Sequence, residues 1–516
     1  MIDLNWKFLI FLKDFTERGG DLFYWVKDGE IFDTCAADIV AFKGTIVCHD
    51  FWLIRDTLFD VTRDLPKSLI DLDELRITVS GNPEDRVARE RSDITAELTK
   101  YGASSEVCSV YKKMFNRGVD FDSDVAIKAA TAMAKMFLAL LEIADSDGEL
   151  ERFMDVEVPI YHILQKSMSA GITINTTDLS SKRREAEYDY FYCLKNYSSD
   201  HDMPLETPTR ATIEAQLYRR GFDLSGVSVD YILDFLPHND DFGSDTIALW
   251  EFDASKRVLS SIALSSGRTR PVIDVFGART SRIHLRSPSL QNLAKKYRSI
   301  VSAREGAELC YVDFDQYEVG IMAALSGDLK LLELYRSGDM YEKFSKNHLG
   351  LAGNRKAAKQ LFLSYAYGMS RKALIDAAVS LGADRKRAKA AFNIFSKYEE
   401  WKKTIWAAFL EDGRVATIGG NHYKRNSNGI LSAKEQRSAI SQVVQGTASL
   451  IFKKALLESD KIEDVTIVLP MHDAILFEHR LAETPQKVVV AFEKVMTSEL
   501  SGRVNGKASI GEFFQN

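Results

Sequence analysis

Along the first 144 or so residues, short apolar runs alternate with longer amphipathic stretches, the pattern of strands followed by helices. The apolar patch in MIDLNWKFLIFLKDF reads as a first strand, because it lacks the basic start and small-residue cleavage site of a signal peptide. GTIVCHDFWLIRDTLFD reads as strand-to-helix, and SDVAIKAATAMAKMFLALLEIA as one long amphipathic helix. The polar stretch ADSDGELERFMD marks a boundary near residue 150. Beyond it, VEVPIYHILQKSMSAGITINTTDL predicts a helix, a stop at Gly171 and a strand. Residues from about 179 to 260 are expected to be helical with loops, LPHNDDFGSD being one of the loops. From about Ala263 helices predominate, and two strand-like stretches interrupt them: ELCYVDFD and DVTIVLPMHDAILFEH. No repeat or low-complexity tract is present, and no apolar run is long enough to span a bilayer.

Both late strands end in, or turn at, an aspartate. Leu309 to Val312 is an apolar run that delivers Asp313 at its end, and a helix is expected directly after it, with Gln316 and Glu318 in its first turn. Val465 to Glu478 is apolar on both sides of Met471-His472-Asp473, as a hairpin presents its turn residues. An antiparallel sheet with one carboxylate at a strand end and another at a neighbouring hairpin can hold both within a few ångströms, and such a pair suits two Mg²⁺ ions. Taken singly, each aspartate is as well explained as a turn former or a helix cap. Between them lies NRKAAKQLFLSYAYGMS. There Arg355, Lys359, Leu363 and Tyr367 recur every four residues and form one stripe that drifts about 40° per repeat on a helix. Two cations followed by an aromatic suit a triphosphate laid along that helix, while a basic amphipathic surface helix shows the same pattern.

Composition changes the picture little. The 516 residues allow two to four domains. The net charge of −7 gives no support for nucleic-acid binding, although Arg and Lys crowd 282–304 and 355–389. The five cysteines are scattered, form no C-x-x-C pair and suit a reducing cytoplasm.

In this order, the three stretches resemble motifs A, B and C of the family A DNA polymerases, the bacterial polymerase I type also found in phages. The match runs through Asp313-Phe314-Asp315-Gln316-Tyr317-Glu318 with Leu325 to Asp328, Arg355 to Lys359 with Tyr367-Gly368, and His472-Asp473 through Glu478. Thr280-Ser281-Arg282, Pro288 to Asn292, Gly413 to Arg425, Arg437 and Gln445 to Ala448 resemble supporting motifs, so the resemblance covers about Val156 onward. It implies a mixed α/β right hand at 151–516: thumb about 179–262, palm about 263–328 and 426–516, fingers about 329–425. It implies a DNA polymerase that adds deoxynucleotides to a primer-template, with those two as partners, no membrane, and no processivity partner identified. By the same resemblance, Asp313, Asp473 and the Phe314 carbonyl bind two Mg²⁺ ions. Arg355 and Lys359 take the triphosphate, with Lys359 counted among the catalytic residues. Gln316 lies near the phosphates, Leu363 beside the incoming sugar and base, and Glu318 with Tyr367 gates against a ribose 2′-OH. Arg282, Asn292, Gln445 and His472 touch the primer-template minor groove, whose acceptors are shared by all base pairs.

The chain departs from that family at Leu363, where Phe or Tyr is usual, and at Ala474, where a Glu is usual. Phe362, Ser364, Gly320, Ser441 and Tyr341 also replace the usual residues. Residues 1–150 weakly resemble the family's 3′–5′ exonuclease domain. Asp124 stands at a metal-ligand position, but Ile54 and Asp120 occupy the aspartate and tyrosine positions, and Thr16 stands where a Glu belongs near Asp14. An inactive domain is therefore expected. Two rival readings are a single-subunit RNA polymerase, against which Glu318 speaks, and a non-catalytic nucleic-acid-binding descendant, against which Asp313, Asp473, Lys359 and Arg355 speak. The compact length and Leu363 suggest a phage-like enzyme of a bacterial cytoplasm or phage-infected host cell.

Overall fold

The computed structural model describes residues 5–16, 20–81, 93–221, 229–234, 241–351 and 353–514. Near the N-terminus the strand Trp6–Leu12 alternates its side chains between two cores. Phe8, Ile10 and Leu12 join the helix Ser123–Ser146, whereas Leu9 and Phe11 join a core that continues through Ile160 and Leu164 of the helix Val158–Ala170. Its five-stranded sheet runs Glu30–Thr34, Leu22–Lys27, Trp6–Leu12, Thr45–Cys48, Leu69–Asp71. The last two pairings are parallel and the first two antiparallel. Polar contacts continue that shared core: Arg55 donates to Gln165 Oε1 and to the Pro271 carbonyl, both at 2.7 Å, and Arg270 pairs with Asp60.

The segment around residue 150 is not an exposed linker. Glu149 and Arg152 are buried, because opposite charges surround them. Arg152 pairs with Glu149 and, at 2.5 Å, with Glu157; Lys453 holds the other Glu157 oxygen at 2.7 Å; His422 bonds Glu149. These charges satisfy one another away from water, and together they hold Glu149 down at about 2 against the effect of burial.

Gly171 ends the helix Val158–Ala170 at φ 76 and Ile172–Thr173 follows as a short strand. The long helices Thr176–His201 and Phe242–Ser261 then pack side by side. The expected loop LPHNDDFGSD lies in part (236–240) outside the described residues, and its remainder is helical rather than loop from Phe242. Phe242 is fully buried against Tyr197 and His201, and the Asp245 carboxylate meets His201 at 2.8 Å, so tertiary packing overrides the local Gly and Asp.

The two late strand-like stretches meet in one four-stranded antiparallel sheet, ordered Thr466–Met471, Ala474–His479, Glu308–Phe314, Ala508–Gly511. Its last strand, and the hairpin Arg414–Thr417 with Gly420–Lys424, carry too little apolar signal to be read from sequence. The helices Ala433–Asp460 and Thr484–Glu499 pack together behind the sheet. Residues 329–412 form a helical unit around Phe344, Phe362, Tyr365, Phe392 and Phe395. Phe362, one of the unusual residues, is thus an aromatic core position.

Candidate active site

Asp313 sits directly across from Ala474 in the sheet, and Met471 pairs with Ala474 to close a two-residue turn. His472 takes that turn at φ 53, which leaves Asp473 next to Ala474 and beside Asp313. The small buried Ala474 thus occupies the strand position between the two carboxylates. Burial first, then the negative charges of Asp473 and Asp315, push Asp313 up to about 6. Burial also raises Asp473, while Arg282 opposes the rise and Glu318 adds to it. Both feel Lys359, which favours their charged forms. Asp315 is turned aside, accepting from Ser509 Oγ at 2.9 Å.

Glu318 is the hub beside this pair. Its Oε1 accepts from Arg282 Nη2 at 2.9 Å and from Gln445 Nε2 at 3.3 Å, and Ser441 Oγ orients Gln445 at 2.9 Å. Arg282 also reaches Asp473 Oδ1 at 3.7 Å. Tyr367 caps the C-terminus of the helix Arg355–Ala366, and burial followed by the Glu318 carboxylate raises its phenol well above the ordinary value. His472 is shifted downward by burial and then by Arg282.

Asn354 caps the helix Arg355–Ala366, accepting from the Ala357 amide at 3.1 Å. Arg355 and Lys359 stand over the ring of buried Tyr341, at 5.6 and 5.9 Å from its centroid, and Arg355 bonds Asp339. Leu363 packs partly buried on the next turn of the helix. Gln316 is the N-cap of Tyr317–Ser326 at φ 53; its amide donates to the Gly338 carbonyl at 2.8 Å and accepts from the Met340 amide at 2.9 Å. It therefore ties the strand end to the Met340–Lys343 helix that carries Tyr341. Asn292 is exposed, with Nδ2 on Ser289 Oγ at 2.7 Å.

Ten of the residues singled out from sequence are thus joined by direct contact, pairing or electrostatic influence: Asp313, Asp473, Lys359, Arg355, Tyr367, Glu318, Arg282, Gln445, His472 and, through the 316–340 bridge, Gln316. Leu363 is linked to them by its place on the Arg355–Ala366 helix. Asn292 stands apart, its side chain bonded to Ser289 rather than to any of these. One participant escaped the sequence: Asp339, whose one signal is its N-cap position before Met340–Lys343; Tyr341, singled out there only as a departure from the family, lies under the two cations. Gly320, another unusual residue, is closely packed: a Cβ there would meet the Met496 methyl at 2.5 Å and the Tyr335 ring at 2.8 Å, so both would have to shift.

The donor set consists of oxygens from two carboxylates, with the Phe314 carbonyl adjacent to Asp313 in the strand, which is the chemistry hard divalent cations require. The fit is also electrostatic: the Asp473 and Asp315 charges make Asp313 costly to ionise, and a bound cation would relieve that cost. No cluster of three or more His, Cys, Asp or Glu able to hold a metal occurs among the described residues.

Just past the central strand Trp6–Leu12 of the N-terminal sheet, Asp14 accepts from Thr16 at 2.6 Å; Ile54 is fully buried, and Asp124, on the helix Ser123–Ser146, faces solvent and pairs with Lys128 at 2.5 Å. The acids Asp50, Asp71 and Asp73 also gather there; burial and then Asp71 push Asp73 up to about 7. Asp71 accepts from the Phe51 and Asp73 amides, so it serves as a helix cap.

A family model for DNA polymerase family A matches residues 251–515, just over half of the chain. DNA polymerase I of Mycobacterium bovis is 25% identical over 393 residues, covering 66% of this chain and 42% of that protein. DNA polymerase theta of Caenorhabditis elegans is 30% identical over 213 residues, 39% of this chain and 13% of that protein. The chain therefore spans less than half the length of these curated relatives. A solved structure, the POL domain of Pol1 from M. smegmatis in complex with DNA primer-template and dNTP, superposes with TM-score 0.73 at 20% identity, covering 95% of this chain and 91% of that one. The α/β right-hand fold expected from sequence is borne out by that superposition.

Proposed function

The chain belongs to DNA polymerase family A, and from that premise we propose that it is a template-directed DNA polymerase extending a primer 3′ end with deoxynucleotides. Its partners in this reading are primer-template DNA and deoxynucleoside triphosphates. The observation that carries the reading is the Asp313–Asp473 pair facing Lys359, with Arg355 one helical turn away. Members of this family generally use divalent metal ions, and in this reading Asp313, Asp473 and the Phe314 carbonyl hold two Mg²⁺. When bound, such ions supply activation of the 3′ hydroxyl and charge stabilisation at the leaving pyrophosphate.

The remaining roles fall to the chain's own side chains. Lys359 and Arg355 take the triphosphate oxygens, and the Asp339 carboxylate and Tyr341 ring hold those cations in place. Glu318, fixed by Arg282 and Gln445, stands with Tyr367 as the gate against a ribose 2′-OH. Gln316 sets the strand-to-helix corner near the phosphates, and Leu363 lines the sugar and base position. Arg282, Gln445, His472 and Asn292 would meet the minor groove of the primer-template. The domain reading is palm at 263–328 and 426–516, fingers at 329–425 and thumb at 179–262, with 1–150 an inactive exonuclease-like brace. Support for the brace comes from the core shared across residue 150 and from the diverted Asp14 and Asp124.

The test is primer extension with each nucleotide type on matched and mismatched primers. Deoxynucleotide-dependent extension templated by the opposite strand is expected. Extension with ribonucleotides alone would favour the RNA polymerase reading. Degradation of a mismatched 3′ end, abolished by Asp124→Ala, would overturn the inactive brace.

A further inference from the structure

The helix Thr176–His201 buries one face against Phe242–Ser261 and fixes a second through Asp189, which accepts from Lys296 Nζ at 2.6 Å and Tyr297 OH at 3.0 Å. A third face stays open to solvent among the described residues. Arg184, Tyr188, Phe191, Tyr192 and Lys195 recur along it at intervals of three and four, so they form one continuous stripe about 16 Å long. Its aromatics are conspicuously solvated: Tyr188 is 68% exposed, Tyr192 59% and Phe191 54%. The Tyr188 and Tyr192 rings lie nearly parallel, 12° apart with centroids at 6.0 Å, and so present a ready π-face. Phe191 is held from behind, edge-on to Tyr190 at 5.1 Å and beside Lys256 Nζ at 5.2 Å.

We propose that this stripe is a binding site for single-stranded DNA, separate from the primer-template groove. The chemistry selects the ligand. Exposed rings spaced along a track, with a cation at each end, suit bases that stack and a phosphate backbone that runs between the charges. Arg184 and Lys195 make no ion pair among the described residues, so both charges are free to meet phosphate. Neighbouring acids leave the stripe's centre clear: Glu185 is paired with Lys182, Asp189 with Lys296, and Glu187 lies at one edge. Two of the three rings, Tyr188 and Tyr192, carry hydroxyl tips, and the cations at the two ends supply the charge complement of a phosphate backbone. The tie from Asp189 to Lys296 and Tyr297, just beyond Asn292, keeps any strand held here beside the proposed primer-template groove.

The experiment preloads the full chain with a saturating primer-template hairpin and titrates a fluorescent oligothymidylate, reading anisotropy at several salt concentrations. The wild type should bind the oligomer despite the hairpin, more weakly as salt rises. Tyr188→Ser with Tyr192→Ser should lose at least about fivefold in that affinity. Arg184→Ala with Lys195→Ala should lower the salt slope. Both are surface changes, and hairpin affinity should stay unchanged. No oligomer binding to the preloaded wild type overturns the site. Equal binding by the double-tyrosine variant also overturns it. A loss of hairpin affinity in that variant would instead place the stripe in the duplex groove. Self-association of the wild type, removed by the same substitutions, would make it a protein interface.

Discussion

Replacing Asp313 by Asn should stabilise the metal-free protein while abolishing synthesis. Asp313 is held near 6 against an ordinary value of 3.8, by burial first and by the Asp473 and Asp315 charges next. The folded state therefore binds the proton more tightly than the unfolded state does. Its ionised carboxylate costs stability at any pH above about 6. That cost shrinks as pH falls through the window between 6 and 3.8 and disappears below it. The difference between about 6 and 3.8 corresponds to about 3 kcal/mol, and partial contact with water brings the expected figure to about 2–3 kcal/mol. In a protein of 516 residues that is a rise in Tm of about 2–3 °C. The assay is thermal melting in chelator at pH 8, 5 and 4. The Asp313→Asn variant should melt above the wild type at pH 8, by about half as much at pH 5, and by only about a fifth as much at pH 4. Added Mg²⁺ should raise the wild-type Tm and leave the variant's unmoved. A variant that melts below the wild type at pH 8, or a difference independent of pH, would refute the electrostatic reasoning.

Other consequences follow from the same geometry. Glu318→Ala removes the acceptor shared by Arg282 and Gln445 and opens the gate; single-nucleotide kinetics should show ribonucleotide discrimination falling by about tenfold to a hundredfold. Leu363→Phe adds a ring at the sugar and base position; terminator incorporation should rise roughly two- to tenfold, and identical incorporation would sink the idea. Lys453→Met strips the fully buried Glu157 partner; denaturant unfolding should show a loss of about 3 kcal/mol, the low end for a broken buried pair because Arg152 still holds Glu157.

The pattern of positions was most informative where the physics was local. Apolar Leu309 to Val312 and the symmetric run around His472-Asp473 announce strand ends, and the structure pairs them. The four-residue spacing announces the Arg355 helix. Legibility stopped where a residue's fate depends on distant partners. ADSDGELERFMD is polar enough for a linker, yet Glu149 and Arg152 are buried because they pair with each other and with His422 and Glu157, and Lys453 arrives from far along the chain to hold Glu157. Ala508–Gly511 has no strand signal of its own and is a strand only because Glu308–Phe314 offers it an edge. Asp339 looks like a helix cap and is one, but its second role, holding Arg355, emerges only when the 316–340 bridge brings it alongside.

At the centre of the proposed mechanism, Asp473 serves synthesis and not DNA binding. Primer extension and primer-template affinity measured side by side for wild type and Asp473→Ala test this most directly. Extension should fall by about a thousandfold or more, with affinity for the primer-template in chelator retained within a few fold. Extension near the wild-type rate, or extension lost only in proportion to DNA affinity, would contradict it.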